Sequence, residues 1–163
     1  MKARTLGADD QPVWRALRLE ALELFPNAFL TTLDEARARS PDSEREMLDK
    51  GHMLGVFDGA DLIASGGCRS MPMVACAHRA EIGPFYVTPA RQGSGAGDVL
   101  MAAMRAQAQQ DGVWQLELFV ADDNPRAQAF YTRHGFVERG RLPNAALVGG
   151  VMTSDIFMVA DLR

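Results

Sequence analysis

The amino-acid sequence predicts a single-domain mixed α/β fold, in which a mostly antiparallel sheet is flanked by helices. Three observations carry this. The 163 residues suit one domain with a real core, and 47% hydrophobic with 23% charged residues is the balance of an ordinary globular chain. Periodicities then run as strand, helices, hairpin, strand–helix–strand–helix and a closing strand pair, the order of a mixed sheet. Between them, Glu81 to Leu100 reads as an apolar strand, a short polar turn, alternating glycines at Gly93, Gly95 and Gly97, and a helix start.

Lys2 to Leu6 is a short first strand, and Asp9 or Asp10 caps a helix with Pro12 in its first turn. Trp14, Leu17, Leu22 and Phe25, with Ala21, form its apolar face. Pro26 and Asn27 end it, and Ala28-Phe29-Leu30 starts an irregular connection. Asp34 to Ser40 and Asp42 to Lys50 are charge-rich and read as solvated surface helices interrupted by Pro41. His52 to Phe57 and Leu62 to Gly67 form a hairpin about Asp58-Gly59, with Gly66-Gly67 marking a bulge. After a loop over Arg69 to Met73, Ala75 to Val87 is a longer strand. Pro84 cannot donate to a ladder, so the sheet is expected to be interrupted there.

Ser94 to Asp111 is a helix with Val99, Ala103 and Ala106 on one stripe, Leu100 and Met104 beside it, and a stop at Asp111-Gly112. Val113 to Val120 is a strand. Asn124 then caps a short helix with Pro125 at its first position, ending at Gly135. Phe136 to Arg139 and Ser154 to Ala160 make a final antiparallel pair, separated by an apolar, glycine-containing loop from Arg141 to Thr153.

The net charge of -4, with acids and bases interspersed, gives no reason to expect nucleic acid. Cys68, Cys76 and the three scattered histidines lack the spacing of a disulfide framework or a metal site, so no metal is expected. There is no signal-peptide run and no membrane-length apolar segment, which points to a cytoplasmic protein without a membrane partner.

A strand that feeds a glycine turn opening a helix is an anion-binding device, because free N–H groups at the helix start face the ligand. A dinucleotide fingerprint fails on detail, although Glu117 lies about 20 residues past the glycines. Asp98 stands where a further glycine is needed, and a Gly-Lys-Ser/Thr phosphate loop is also absent. Gln92-Gly93-Ser94-Gly95-Ala96-Gly97 after Val87-Thr88-Pro89, followed by Val120, Asn124, Ala127, Phe130-Tyr131 and Gly135-Phe136, closely resembles the two signature blocks of the GCN5-related N-acetyltransferase (GNAT) superfamily, whose members bind acetyl-CoA. The blocks cover roughly Glu81 to Phe136.

The resemblance implies a GNAT-like acyl-CoA N-acyltransferase domain over residues 1–163, with the sheet splayed at its centre, and acetyl-CoA as cosubstrate. It places the pyrophosphate on Gln92, Gly93, Ser94, Gly95, Ala96 and Gly97. The pantetheine arm would pair with the backbone of Phe85, Tyr86 and Val87 and touch Asn124. Asp98 would have to turn away from the pyrophosphate. Catalysis is assigned to Glu81 as general base, the N–H of Phe85 as oxyanion donor and Tyr131 as acid for the leaving thiolate, with Glu117 and then His78 as alternative bases. Structural roles compete at each: a strand glutamate is usually solvated, Asn before Pro caps any helix, and Tyr131 shares a helical stripe with Ala127, Phe130 and His134. The acceptor is an amine, small or on a protein or peptide, and the Arg141 to Thr153 loop offers either an acceptor wall or a homodimer contact. A non-catalytic acyl-CoA sensor of the same fold is the alternative, against which the retention of Glu81 and Tyr131 argues.

Overall fold

The computed structural model describes all residues, 1–163. Seven strands form one mixed sheet: β1 (Lys2–Thr5), β2 (Met53–Asp58), β3 (Asp61–Ser70), β4 (Arg79–Val87), β5 (Gln115–Ala121), β6 (Val137–Val148) and β7 (Val151–Asp161), hydrogen-bonded in the order β1-β2-β3-β4-β5-β7-β6. Five helices accompany them: α1 (Gln11–Leu24), α2 (Leu33–Ala38), α3 (Pro41–Leu48), α4 (Ala96–Gln110) and α5 (Pro125–Arg133). No helix is long and apolar enough to cross a membrane. Contacts group the chain into two compact units, Met1–Cys68 with Gly83–Ala106, and Arg69–Ile82 with Gln107–Arg163.

In the first unit, β1 pairs antiparallel with β2 from Lys2↔Phe57 to Thr5↔Leu54, and β2 with β3 from Met53↔Gly67 to Asp58↔Asp61. The ladder irregularity falls at Val56/Phe57. Gly66-Gly67 is therefore not a bulge; Gly66 is glycine because a Cβ there would press on the Met104 methyl, with the Pro84 carbonyl and the Phe85 ring at 3.3 Å. Helix α1 buries Trp14, Leu17, Ala21 and Leu22 as its spacing predicts, whereas Phe25, past the helix end, is 39% exposed. Trp14 packs with Leu6, Leu48 and Met53; Leu17 and Ala21 pack with Tyr86 and the partly buried Phe29.

Asp10 holds the cap position of α1 without capping it: its carboxylate accepts from Arg4 through two bonds of 2.7 Å and from the Gly7 N–H at 3.0 Å. Thr32 caps α2 and Ser40 caps α3, so Pro41 opens a helix as well as separating two. These helices are not wholly solvated. Glu44 is 3% exposed and accepts from Gln11 at 2.6 Å and from Arg15.

Helix α4 starts two residues later than its sequence suggests and buries Ala96, Leu100, Met101, Met104 and Ala108, while Ala106 is exposed. The stripe is rotated because the left-handed glycines before it, not Ser94, set the first turn.

In the second unit, β5 pairs antiparallel with β7 over its whole length, and β7 with β6. The segment from Arg141 to Thr153 is not a loop. It is the outer part of a long hairpin closed by Gly149-Gly150, whose φ of 57° and 81° suit a two-residue turn with positive φ at both positions. Pro143 and Asn144 are absorbed where the register shifts between Leu142↔Asp155 and Ala146↔Thr153, with Asn144 at φ 53°. The predicted strand at Ala75 likewise starts late, after a short 3-10 turn over Val74–Cys76.

Candidate active site

The turn between β4 and α4 is built by geometry that only glycine adopts without strain. Gly93 and Gly95 have φ of 79° and 89°, and a Cβ on either would meet open space, so backbone conformation rather than crowding requires them. Gln92 braces the turn by donating from Nε2 to the Val87 carbonyl at 3.2 Å, and the Ser94 hydroxyl donates to the Arg91 carbonyl at 2.6 Å. Ala96 and Gly97 begin α4, where the first N–H groups have no intrahelical partner. The result is a rigid backbone concavity with the positive end of a 15-residue helix behind it. Asp98 lies in that first turn.

Strand β4 leads into the turn and fixes its upstream side. The Tyr86 side chain, 7% exposed, lies against the rings of Phe25 and Phe29, and its hydroxyl donates to Glu20 at 2.7 Å. Burial first, and then Glu20, raises its pKa. Thr88 donates to the same Glu20 oxygen at 2.7 Å. With its side chain committed to α1, Tyr86 has only its backbone to offer a ligand. Tyr86 also lines a small open pocket together with Trp14, Leu17, Arg18, Met53, Ser65 and Pro84.

The second unit holds the remaining residues singled out in the sequence. The parallel ladder between β4 and β5 has three pairs and ends at Glu81↔Glu117. The Glu81 side chain is 40% exposed and lies 3.7 Å from the Arg69 guanidinium. Glu117 is buried; it accepts from Arg79 Nε, from Arg79 Nη2 at 2.7 Å and from Gln115 at 2.7 Å. Arg79 first, then Gln115, holds its carboxyl below the usual range. A carboxylate so engaged is a poor proton acceptor, and this geometry argues against it as the alternative base. His78 packs its ring edge-on against Trp114 at 5.2 Å.

Asn124 caps α5 by accepting from the Ala127 N–H at 3.1 Å through Oδ1, so its side-chain amide remains a donor. Tyr131 is 9% exposed, its ring between Phe130 at 5.4 Å and Phe136 at 5.7 Å, and burial raises its pKa. Gly135, at φ 82°, ends the helix and lets Phe136 turn back under it. Phe85, Tyr86, Val87 and Gln92 to Gly97 thus fall in the first unit, and Glu81, Asn124 and Tyr131 in the second. No group of three His, Cys, Asp or Glu side chains is placed to hold a metal.

The acetyltransferase (GNAT) family model matches residues 14–136, which takes in the glycine turn and the Asn124–Phe136 block. The chain belongs to the GNAT acetyltransferase family. This GNAT chain is 30% identical over 139 residues to the mycothiol acetyltransferase of Beutenbergia cavernae, a match covering 83% of this chain and 44% of that relative's length. It therefore spans less than half of that protein. Among solved structures, ribosomal-protein-alanine N-acetyltransferase from Brucella melitensis has a TM-score of 0.85 at 20% identity, with 99% of each chain covered. The yncA protein from Salmonella typhimurium, solved with its cofactor acetyl-CoA, has a TM-score of 0.86 at 17% identity, covering 100% of this chain and 94% of that one. At these identities the likeness is one of fold.

Sequence reasoning passed over Glu20, Arg79, Arg18 and Ser65. Only Arg18 carried a local signal: it lies four residues after Trp14 and three before Ala21, a cation on the apolar face of α1.

Proposed function

We propose that this protein is an acetyl-CoA-dependent N-acetyltransferase that moves an acetyl group to a primary amine by direct attack, acting in the cytoplasm as one domain. The observation that carries this reading is the Gln92–Gly97 turn, where two left-handed glycines and a helix N-terminus present backbone donors of the kind a pyrophosphate needs. Backbone donors at Phe85 to Val87 suit the amide-rich arm, and the Asn124 amide is a further donor.

Acetyl-CoA supplies a thioester carbonyl: the amine nitrogen forms the new C–N bond to it, and the C–S bond breaks. This chain's residues manage the charges and protons. The Phe85 N–H stabilises the oxygen that gains negative charge, at the point where Pro84 cannot donate to the sheet. Glu81, half-exposed and beside Arg69, takes the proton that the amine loses, directly or through water. The Tyr131 hydroxyl, its pKa raised by burial, gives its proton to the departing thiolate and regains one from solvent. Exposed apolar residues on the long hairpin, Leu142, Leu147, Val151 and Met152, are the surface that a homodimer would cover.

Thiol release measured with acetyl-CoA over a panel of small amines and peptides tests the reading. Turnover with at least one amine is expected. Stabilisation by acetyl-CoA without turnover on any acceptor would favour the sensor, and no thermal shift with acetyl-CoA would remove the cosubstrate itself.

A further inference from the structure

One carboxylate of α1 is tied to β4 where the stretch offered to the cofactor arm meets the glycine turn. Glu20 Oε1 accepts two hydrogen bonds of 2.7 Å, one from the Tyr86 hydroxyl and one from the Thr88 hydroxyl. Thr88 continues the extended course of β4, with φ of -55° and ψ of 141°. Side chains two apart on extended backbone point to one face, so a single oxygen fastens the strand to the helix on both sides of Val87. Apolar packing completes the attachment. Tyr86 shares a buried cluster with Leu17 and Ala21 of α1, and its ring lies 6.1 Å from Phe25 and 6.5 Å from Phe29.

The chemistry of the clamp suits a fixed geometry. An ionised carboxylate only accepts, so both hydroxyls must donate to it and neither is free to rotate. A buried tyrosine hydroxyl is costly without such a partner, and Tyr86 is 7% exposed. Just upstream, Pro84 has no N–H to give to the sheet, which leaves the path of the next residues more dependent on side-chain anchors. Backbone bonds then carry the restraint into the turn: the Thr88 N–H donates to the Ile63 carbonyl at 3.0 Å, and Gln92 Nε2 donates to the Val87 carbonyl at 3.2 Å.

We propose that Glu20 is a positioning residue for the cosubstrate: by fixing Tyr86 and Thr88 it holds the Phe85–Val87 backbone in the geometry that pairs with the arm of acetyl-CoA. The proposal rests on the acetyl-CoA reading of this stretch. An extended ligand pairs with a strand only where N–H and carbonyl groups keep strand spacing and direction, and a strand that holds that geometry for a fraction of the time binds more weakly by that fraction. Charge gives the effect a distinctive sign. Coenzyme A is anionic, so deleting a nearby carboxylate would tighten its binding by Coulomb's law alone. Weaker binding on loss of Glu20 therefore reports geometry.

The test is calorimetric titration of acetyl-CoA into the full chain and its variants, well below their unfolding midpoints. Glu20→Ala should raise Kd about 10- to 100-fold, the range for hydrogen bonds to a charged group. Glu20→Gln keeps an acceptor oxygen and should recover most of that loss. Tyr86→Phe and Thr88→Val should each raise Kd about 3-fold, because the other bond still anchors the strand. Glu44→Gln is the control for destabilisation by itself: that buried carboxylate holds Gln11 and Arg15, so its loss should lower Tm and leave acetyl-CoA binding unchanged. In turnover by Glu20→Ala, the KM for acetyl-CoA should rise and the KM for the amine should not. The proposal is overturned if Glu20→Ala binds acetyl-CoA as the wild type does, or if Glu44→Gln weakens it equally. Should Glu20→Ala fail to fold, the Tyr86→Phe/Thr88→Val double variant decides, since it removes both donors and keeps their shapes; wild-type affinity in it overturns the proposal. Absence of acetyl-CoA binding by the wild type would instead be failure of the cosubstrate reading, and shows in the first titration.

Discussion

Replacing Glu117 by Gln separates a structural carboxylate from a catalytic one. Glu117 is 3% exposed and accepts three hydrogen bonds, two from Arg79 and one from Gln115. The amide keeps one acceptor oxygen but turns an NH2 group toward a donor, so at least one charge-assisted bond is lost. Such bonds contribute about 1.5–3 kcal/mol each. The Arg79 side chain is 33% exposed and can turn to water, which places the loss near the lower end, about 2 kcal/mol. For a chain of this size that is roughly 4–8 °C in Tm. The pH dependence has a definite sign. Arg79 lowers the folded-state pKa of Glu117 below its unfolded value, so its stabilisation is complete above about pH 4.3 and is lost as pH falls through the folded-state value. Urea unfolding of both proteins should therefore show a constant gap from pH 6 to 8 that closes in acid. Turnover should change little once both proteins are assayed well below their midpoints. An unaltered Tm at neutral pH with turnover reduced by two or more orders of magnitude would refute the reasoning and make Glu117 the base.

Tyr131→Phe keeps the ring between Phe130 and Phe136, so Tm should move by less than about 1 kcal/mol equivalent while kcat falls about 100-fold with acetyl-CoA binding intact; unchanged kcat removes Tyr131 from the chemistry. Glu81→Gln should lower activity most below the amine's pKa, where a base is needed to generate the free amine, and a pH-independent effect would point to water alone. Gly95→Ala forces a Cβ onto a φ of 89°; it should cost about 1–2 kcal/mol and weaken acetyl-CoA in isothermal titration, whereas Gly83→Ala, at a position with open space and no positive φ, should bind normally.

The elements that the sequence made legible are those whose determinants are local. Asn124-Pro125 at one end and Gly135 at the other bound α5 through cap geometry, and Asp58-Gly59 closes its hairpin through turn geometry. Errors arose where a residue's reason lies across the fold. Arg141 to Thr153 looked like a loop, yet Pro143-Asn144 marks a bulge and Gly149-Gly150 a two-residue turn within paired strands, because β7 supplies the partner that local propensity cannot reveal. Glu44 looked solvated because its helix is charged, and only the packing of α3 on α1 shows that Gln11 and Arg15 need its carboxylate. Gly66 looked like a bulge for the same reason: Met104, Pro84 and Phe85 crowd it from elements distant in sequence.

The same distinction explains why the cofactor side of the site was readable and the acceptor side was not. A pyrophosphate is recognised by backbone N–H groups, and presenting them demands positive φ at fixed local spacing, which writes Gly93 and Gly95 into one short stretch. An acceptor is recognised by side chains that the fold collects from wherever its elements meet. Arg18 comes from α1, Ser65 from β3 and Pro84 from β4, and no spacing within the chain links them. Each alone has an ordinary explanation: a helix-face arginine, a strand serine, a strand-breaking proline. Only the fold shows that the three line one small cavity beside β4. Specificity in a chain of this family should accordingly be sought in the side chains that the fold brings up to β4 rather than in further sequence motifs.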